Sequence, residues 1–175
     1  MVEMNTPNWY QLVGGEEGIG PVYHLRTSGQ TKNVDTPLNS RETPFVMVCN
    51  QGNENVSYQL GKMCGLLGPQ CYNIFLTGQI GSFRLSFQRG EHSVIAISFS
   101  DEVMRSLLKK YGLRSRFDDE TMWIDPVLSN QPMPVTTTMR QGIDILVASG
   151  NDDELFLWYE ALILIDHAIC GYAGS

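Results

Sequence analysis

Histidines are the side chains of this 175-residue chain best suited to bind a transition metal. A catalytic site of that kind commonly uses two or three histidines and a carboxylate that converge on one ion, with two of the histidines close together on one strand. His24, His92 and His167 are far apart in sequence, and none has another histidine at i+2 or i+4. The spacing predicts neither a metal site nor a metal cofactor.

Motifs for nucleophilic catalysis and phosphate binding are also missing from the sequence. The segment 14–20 is rich in glycine, but no predicted strand precedes it and no lysine completes a phosphate-binding loop. No GxSxG motif is present. We therefore predict that the chain is not an enzyme. One alternative stays open, a metal-independent isomerase or epimerase in which His24 and either Tyr58 or Tyr72 act as acid and base.

The cysteines and the amino end indicate the cellular compartment. No CxxC pair occurs among Cys49, Cys64, Cys71 and Cys170. Although four cysteines could form two disulfides, we expect free thiols in a reducing cytoplasm. Residues 1–8 are polar and unlike a secretory signal, and no stretch approaches the ~18–20 apolar residues of a membrane helix. We therefore expect a cytoplasmic protein without membrane contact.

Charge excludes one class of partner. The chain has 19 acidic and 12 basic residues and a net charge of -7. Binding to DNA, RNA or an anionic membrane needs a basic surface, so we do not expect it from this chain alone. The length and the 42% apolar content suit one globular domain with its own core.

The segment 22–99 has the period-two alternation of short β-strands. In one run, Phe83, Leu85 and Phe87 alternate with polar residues, so these three side chains are predicted to face inward. Turn residues separate the runs at about ten-residue spacing, which predicts a β-meander of six or more strands in a sandwich or small barrel. Residues 1–21 are expected to form an irregular arm. The predicted runs are 22–26, 45–49, 56–60, 72–76, 83–87 and 93–99.

Helical periodicity begins at Ser100. Ser100 is a good N-cap, acidic residues follow it, and Gly112 is suited to the position after the helix. A second helix is predicted over 138–149 and a third over 153–169, with Asn151 or Asp152 as its cap. We expect residues 100–175 to form a helical part of the same domain.

The third predicted helix is apolar on nearly every side. One stripe contains Leu155, Trp158, Leu162 and Ile165, and another contains Phe156, Tyr159 and Ile163. A surface helix of a monomer has one apolar face and one polar face. Two interpretations stay open: a central helix in one larger core, or a helix that packs on its own barrel and on a second copy of the chain. The candidate dimer residues are Leu155, Trp158, Tyr159, Leu162, Ile163 and Ile165.

Residues 90–112, GEHSVIAISFSDEVMRSLLKKYG, together with the preceding strand SFRLSFQRG, resemble the amino-terminal sensor domain of AraC-family transcriptional regulators. The resemblance implies a mainly β fold, in which a cupin-like jelly-roll barrel is followed by two or three α-helices, the last of which dimerises. In such regulators a linker then leads to a basic helix-turn-helix domain, which is absent from this sequence. The chain stops directly after an apolar helix, so we expect it to be a fragment of a longer protein.

By this resemblance, the chain senses an effector with its barrel, forms a homodimer, and affects DNA only through the absent domain. An effector that is a partly apolar molecule with an anionic or hydroxyl group would suit the candidate residues, and a protein effector is the alternative. The aromatic side chains could instead simply fill the barrel. A stand-alone interaction protein with a cupin-like fold also stays open. The candidate ligand-binding residues are His24, Tyr58, Tyr72, Phe83, Arg84 and Phe87.

Overall fold

The computed structural model describes residues 8–14, 18–29, 32–36, 42–77, 83–113, 127–129, 131–148 and 153–174. The predicted caps Asn151 and Asp152 lie outside these residues. Within them the strands are β1 (Asn8–Val13), β2 (Ile19–Thr27), β3 (Lys32–Asp35), β4 (Phe45–Asn50), β5 (Val56–Leu60), β6 (Met63–Leu67), β7 (Cys71–Leu76), β8 (Phe83–Phe87), β9 (His92–Phe99) and β10 (Met133–Pro134). The helices are α1 (Asp101–Lys110), α2 (Thr137–Ala148) and α3 (Glu154–Ala173).

The strands form two antiparallel sheets. The six-stranded sheet has the order β1-β2-β9-β4-β7-β10, and the four-stranded sheet has the order β3-β8-β5-β6. The predicted meander is wrong, because β4 pairs with both β7 and β9 while β5 and β8 lie in the other sheet. The chain therefore crosses between sheets at most connections. This is the predicted cupin-like jelly roll, followed by helices.

The space between the two sheets is the first hydrophobic core. Phe83, Leu85 and Phe87 are buried there, which confirms the predicted inward face of β8. Val46 and Val48 of β4 face the same core from the opposite sheet. The period-two alternation therefore identified the buried face of a strand correctly, although it could not identify the strand's neighbours.

The second core lies between the six-stranded sheet and the helices. Phe45, Met47 and Cys49 of β4 pack there, so β4 is buried on both faces. The helices cover this side of the sheet with their own apolar residues, and α3 contributes the largest share. Its buried residues are Leu157, Ala161, Leu164, Ile165, Ala168 and Ile169.

The amino-terminal segment departs from the expected irregular arm. Asn8–Val13 forms strand β1, which pairs antiparallel with β2, and β2 itself begins at Ile19 rather than at residue 22. The sequence pattern also missed β3, β6 and β10. These strands lie at sheet edges, where only one neighbouring strand constrains the side chains and alternation is weak.

The first helix begins and ends as the sequence predicted. Ser100 is the N-cap of α1 and accepts a hydrogen bond from the Val103 amide at 3.2 Å, while Gly112 follows the helix with φ 69°. The second helix begins one residue before the predicted bound. The third is capped by Asp153, whose carboxylate accepts from the Leu155 amide at 3.0 Å.

Helix α3 overturns the expectation that no segment could span a membrane. It has 20 residues and a mean hydropathy of 1.3, which suffices by length and composition. Because Leu157, Ala161 and Leu164 on one face are almost completely buried against the rest of the chain, we interpret α3 as a core helix.

Substitution of Gly65 should test the packing of the first core. Tyr58 lies opposite Gly65 across the β5–β6 pair, and a Cβ at Gly65 would lie 2.5 Å from Tyr58 Cζ. We expect Gly65→Ala to lower the free energy of unfolding by about 1–3 kcal/mol, because the Tyr58 ring must move out of its packed position. Urea denaturation measures the change. Gly68→Ala is the matched control, since its Cβ would make only ordinary contacts at 3.6 and 3.8 Å. Equal stability of the two variants would contradict this packing.

Candidate functional site

The interior of the barrel is occupied by aromatic rings. The Tyr58 and Phe75 ring centroids are 4.8 Å apart, and the Phe75 and Phe83 centroids are also 4.8 Å apart. Phe87 packs on His92 with 5.1 Å between centroids. Rings at these distances are in direct contact. The geometry favours the interpretation in which aromatic side chains fill the barrel.

The candidate ligand-binding residues lie in three different places. Tyr58, Phe83 and Phe87 face the barrel interior. Arg84 is on the outside of the four-stranded sheet, where its Nε is 3.0 Å from Asp35 Oδ1. His24 and Tyr72 do not face the interior, because their positions on β2 and β7 place them on the helix-covered side of the six-stranded sheet. The six candidates therefore do not line one pocket, and the inward placement of Tyr72 and Arg84 is wrong, while a role of the candidates in ligand binding stays a prediction.

The proposed acid/base pairs are not formed either. His24, Ile95, Cys49 and Tyr72 occupy one row across β2, β9, β4 and β7. Three strand spacings separate His24 from Tyr72, roughly 14 Å. The Tyr72 hydroxyl donates to the Ala168 carbonyl at 2.6 Å, and burial raises its pKa. Tyr58 lies on the opposite side of the sheet, so His24 has neither tyrosine within proton-transfer distance.

A cleft of about 290 Å³ lies where one end of the barrel meets α2. We call it the junction cleft. Turn residues after β4 and before β7 form one wall, and residues at the start of α2 form the other. Most of the lining side chains are polar, in contrast to the apolar barrel interior. The lining residues are Asn50, Gln51, Asn53, Gln70, Val135, Arg140, Ile143 and Asp144.

A partly buried hydrogen-bond chain fixes the orientation of Gln51 in this cleft. Burial, assisted by Arg26, lowers the pKa of His24 and so favours its neutral ring. His24 Nε2 is 2.8 Å from Ser93 Oγ, and that hydroxyl donates to Gln51 Oε1 at 2.8 Å. Since the hydroxyl has one proton to give, His24 Nε2 donates to it. Gln51 Oε1 is thereby engaged, and among the described residues its amide NH₂ group has no other partner, so it is available to the cleft.

Gln70 has a backbone conformation that is unusual for a non-glycine residue. Its φ is 54°, in the left-handed region, which is favourable mainly for glycine. The side-chain amide donates to the Gln51 and Gly52 carbonyls, and the Gln70 carbonyl accepts from the Val135 amide at 2.8 Å. Gln70 therefore connects both walls of the junction cleft. Strained positions of this kind concentrate at functional sites.

Asn50, in contrast to Gln51 and Gln70, has a structural role. Its amide donates to the carbonyls of Glu54, Leu67 and Gly68, and its Oδ1 accepts from the Gly52 amide. The hydrogen-bonding groups of Asn50 are thus used within the protein. It holds the turn that places Gln51 at the cleft.

The outward face of α3 is a second candidate surface. Leu155, Phe156, Tyr159 and Ile163 have exposed fractions of 56%, 46%, 53% and 44%. These four residues define the α3 stripe. Trp158 and Leu162 flank it and are half-buried. The candidate dimer residue Ile165 is completely buried within its own chain, so its assignment to the surface was wrong.

A polar cluster fixes α3 to the end of α1. Lys110 Nζ and Tyr111 Oη lie 3.0 and 2.7 Å from Asp166 Oδ1. Burial alone would raise the pKa of Asp166, but the hydrogen bonds from Tyr111 and Lys110 outweigh it and lower that pKa. The cluster holds α3 in register beneath the sheet while the α3 stripe faces solvent.

Within the part of the chain that the structure describes, no three His, Cys, Asp or Glu side chains come close enough together to hold a metal ion. The expectation of no metal stays a prediction, for which elemental analysis is the test. The cysteines are also separate from one another, two exposed and two at least partly buried.

Comparison with known proteins identifies the fold. No family model and no curated protein matches the sequence. Among solved structures, the AraC-like transcriptional activator CuxR is 11% identical with a TM-score of 0.53, over 97% of this chain and 55% of CuxR. ToxT from Vibrio cholerae O395, bound to (E)-4-(8-methylnaphthalen-1-yl)but-3-enoic acid, is 13% identical with a TM-score of 0.54, over 87% of this chain and 55% of ToxT. The chain has the fold of the matched part of these AraC-like regulators.

The AraC-type resemblance seen in the sequence is therefore confirmed for the fold. A second ToxT structure from Vibrio cholerae, with 13% identity and a TM-score of 0.51 over 84% of this chain, agrees with this assignment. The chain spans about half the length of these regulators, 54–55%. Identities this low establish the fold and not the activity.

Thiol reactivity should distinguish the four cysteines. Cys49 is completely buried, and burial raises its pKa to about 12, whereas Cys64 is exposed. We expect Cys64 to react rapidly with a disulfide reagent at pH 8 and Cys49 to react only after unfolding, because thiolate is the reactive form. Mass spectrometry of the labelled peptides measures both rates. Four thiols should be counted in denaturant, and a lower count would reveal a disulfide.

Proposed function

We propose that this chain is the effector-sensing and dimerisation domain of an AraC-type transcriptional regulator. The observation that supports it best is the α3 stripe, on a helix whose opposite face is part of the core of an AraC-type fold. Large apolar residues that share one exposed face normally mark an interface. On this proposal the chain is not an enzyme and is located in the cytoplasm, and DNA is bound by a separate domain.

The partner that fits the α3 stripe is a second copy of the same chain. Phe156, Tyr159 and Ile163 follow a three-then-four residue spacing, which is the pattern of a seam between two helices. The stripe has no charged residue of its own, so two copies can meet without opposing like charges at its centre. A two-fold pairing is the commonest closed arrangement of identical subunits.

Charged substitutions in the α3 stripe should dissociate the dimer. We expect the wild type to be dimeric at tens of micromolar, and Tyr159→Glu and Ile163→Glu each to raise the dissociation constant about tenfold or more, because a side chain worth roughly 1.5–3 kcal/mol on burial is replaced by a charge. Sedimentation equilibrium measures the constant, and circular dichroism verifies that the variants fold.

The matched control for these variants is Leu66→Glu. Leu66 is 52% exposed, similar to Tyr159, but lies on β6 in the four-stranded sheet, away from α3. We expect this variant to dimerise like the wild type. A monomeric wild type, or dissociation by Leu66→Glu alone, would contradict dimerisation through α3.

The chain should not bind duplex DNA by itself. Its net charge of -7 gives a repulsive field near phosphates. We expect no shift of a duplex at micromolar protein and physiological salt in an electrophoretic assay. A complex that forms at that salt and weakens steeply as salt is raised would contradict the proposal that DNA binding resides in another domain.

A further inference from the structure

We infer that the effector site of this chain is the junction cleft and not the barrel interior, and that its ligand is a small zwitterion of the α-amino acid class. The role of this ligand as an effector depends on the proposed sensing function. The inference of a binding site depends only on the geometry of the cleft. Its volume of about 290 Å³ is at the lower end for small-molecule sites. A single small molecule would fill it.

The charges of the cleft select the ligand class. Arg140 and Asp144 are one helical turn apart on α2 and both line the cleft, yet no ion pair joins them among the residues the structure describes. A simple anion would be repelled by Asp144, and a simple cation by Arg140. A molecule with a carboxylate and an ammonium group satisfies both at once. The guanidinium can bind a carboxylate through two parallel hydrogen bonds.

The neutral polar groups fit the same ligand. The Gln51 amide NH₂ group can donate into the cleft that Arg140 also lines, because Ser93 already occupies the Gln51 oxygen. The Gln70 amide is used by two backbone carbonyls, so its side-chain oxygen is the group left to accept from an ammonium. Both side chains are therefore oriented before any ligand arrives. Such preorganisation lowers the entropic cost of binding.

The remaining wall of the cleft is apolar. Val135 and Ile143 are both buried and both line it. They provide a surface for a short aliphatic side chain, while a charged side chain would lose solvation against them. The geometry therefore favours valine-like and leucine-like amino acids over aspartate-like or lysine-like ones.

A ligand in this cleft would contact the helix that supports α3. Gly142 lies between Arg140 and Ile143 in sequence, and a Cβ at Gly142 would lie 3.3 Å from Leu164 of α3. This close approach means that a displacement of α2 changes its packing on α3. The cleft and the α3 stripe are therefore joined by two packed helices, which is a physical basis for coupling.

The test uses the twenty standard L-α-amino acids as probes, added singly at millimolar concentration to the wild-type chain. We expect aliphatic members to raise the melting temperature and to bind in calorimetry. The amide of the best binder, which lacks the carboxylate, and its deaminated acid, which lacks the ammonium, should each bind at least tenfold more weakly. The absence of any binder, or equal binding of both analogues, would overturn the inference.

Two substitutions locate the site. Arg140→Gln and Asp144→Asn should each weaken binding at least tenfold, and both residues are exposed helix positions that tolerate these replacements without loss of folding. Lys109→Gln and Glu102→Gln remove the same charges from exposed positions on α1 and should leave binding unchanged. Binding that survives both cleft substitutions, or that is lost in a Tyr58→Leu barrel variant with the cleft intact, would place the ligand elsewhere.

The binding and association measurements distinguish a failure of this inference from a failure of the proposed function. A chain that dimerises through α3 but binds no amino acid would leave the proposed function in place and remove the ligand class. A chain that binds amino acids through Arg140 and Asp144 but stays monomeric would keep the site and remove the dimerisation domain. The two measurements, calorimetry and sedimentation, are independent of each other.

Discussion

All six residues of β4, Phe45–Asn50, are buried, because one face of the strand lines the barrel and the other lies beneath the helices. The neighbouring strand β9 is buried in nearly the same way. A sheet with two apolar faces is stable in water only if both are covered. The four-stranded sheet covers one face and the three helices cover the other. The helices are therefore not an appendage to the barrel, since removing them would expose the whole second core.

The composition of α3 follows from this requirement. One face must cover the sheet, and Leu157, Ala161 and Leu164 do so with almost no exposure. Tyr72 adds a buried hydrogen bond from the sheet to the Ala168 carbonyl, which fixes the helix along its axis. None of these contacts requires Leu155, Phe156 or Tyr159 to be apolar. The contacts of the described residues therefore do not explain the α3 stripe, and the proposed dimer would give a physical reason to keep it apolar.

Local patterns in the sequence predicted local structure and failed for long-range pairing. The alternation around Phe83 fixed which side of β8 is buried, and Ser100 fixed where α1 begins, because each depends on a few adjacent residues. Alternation contains no information on which strand lies beside which, so the meander was wrong while the family resemblance gave the correct crossing topology. His24 and Tyr72 were misplaced for the same reason: in a sheet buried on both faces, a polar residue on a strand can face either core.

The junction cleft was invisible in the sequence for a different reason. Its residues come from the turn after β4, the turn before β7 and the start of α2, three segments separated by tens of residues. Nothing in the sequence around Gln70 predicts its left-handed backbone conformation, which glutamine rarely adopts. Arg140 and Asp144 are close together in the sequence, but their spacing of four is also that of an ordinary surface ion pair. A site assembled from unrelated turns has no motif.

The filled barrel restricts where a ligand can bind to this fold. With aromatic rings in contact at its centre, a ligand could enter only by displacing packed side chains, and the loss of their burial would oppose binding. The junction cleft requires no such displacement.

A ligand in the junction cleft would contact α2, and it can shift an equilibrium only if it binds one arrangement of α2 more tightly than another. Because α2 packs closely on α3 at Gly142, where a Cβ would lie 3.3 Å from Leu164, a displacement of α2 changes its packing on α3. A coupling of 1–3 kcal/mol, roughly 5- to 150-fold in affinity, is typical between such sites. If the chain dimerises through α3 as proposed, that range would be enough for a small ligand at the junction to control the association of two chains.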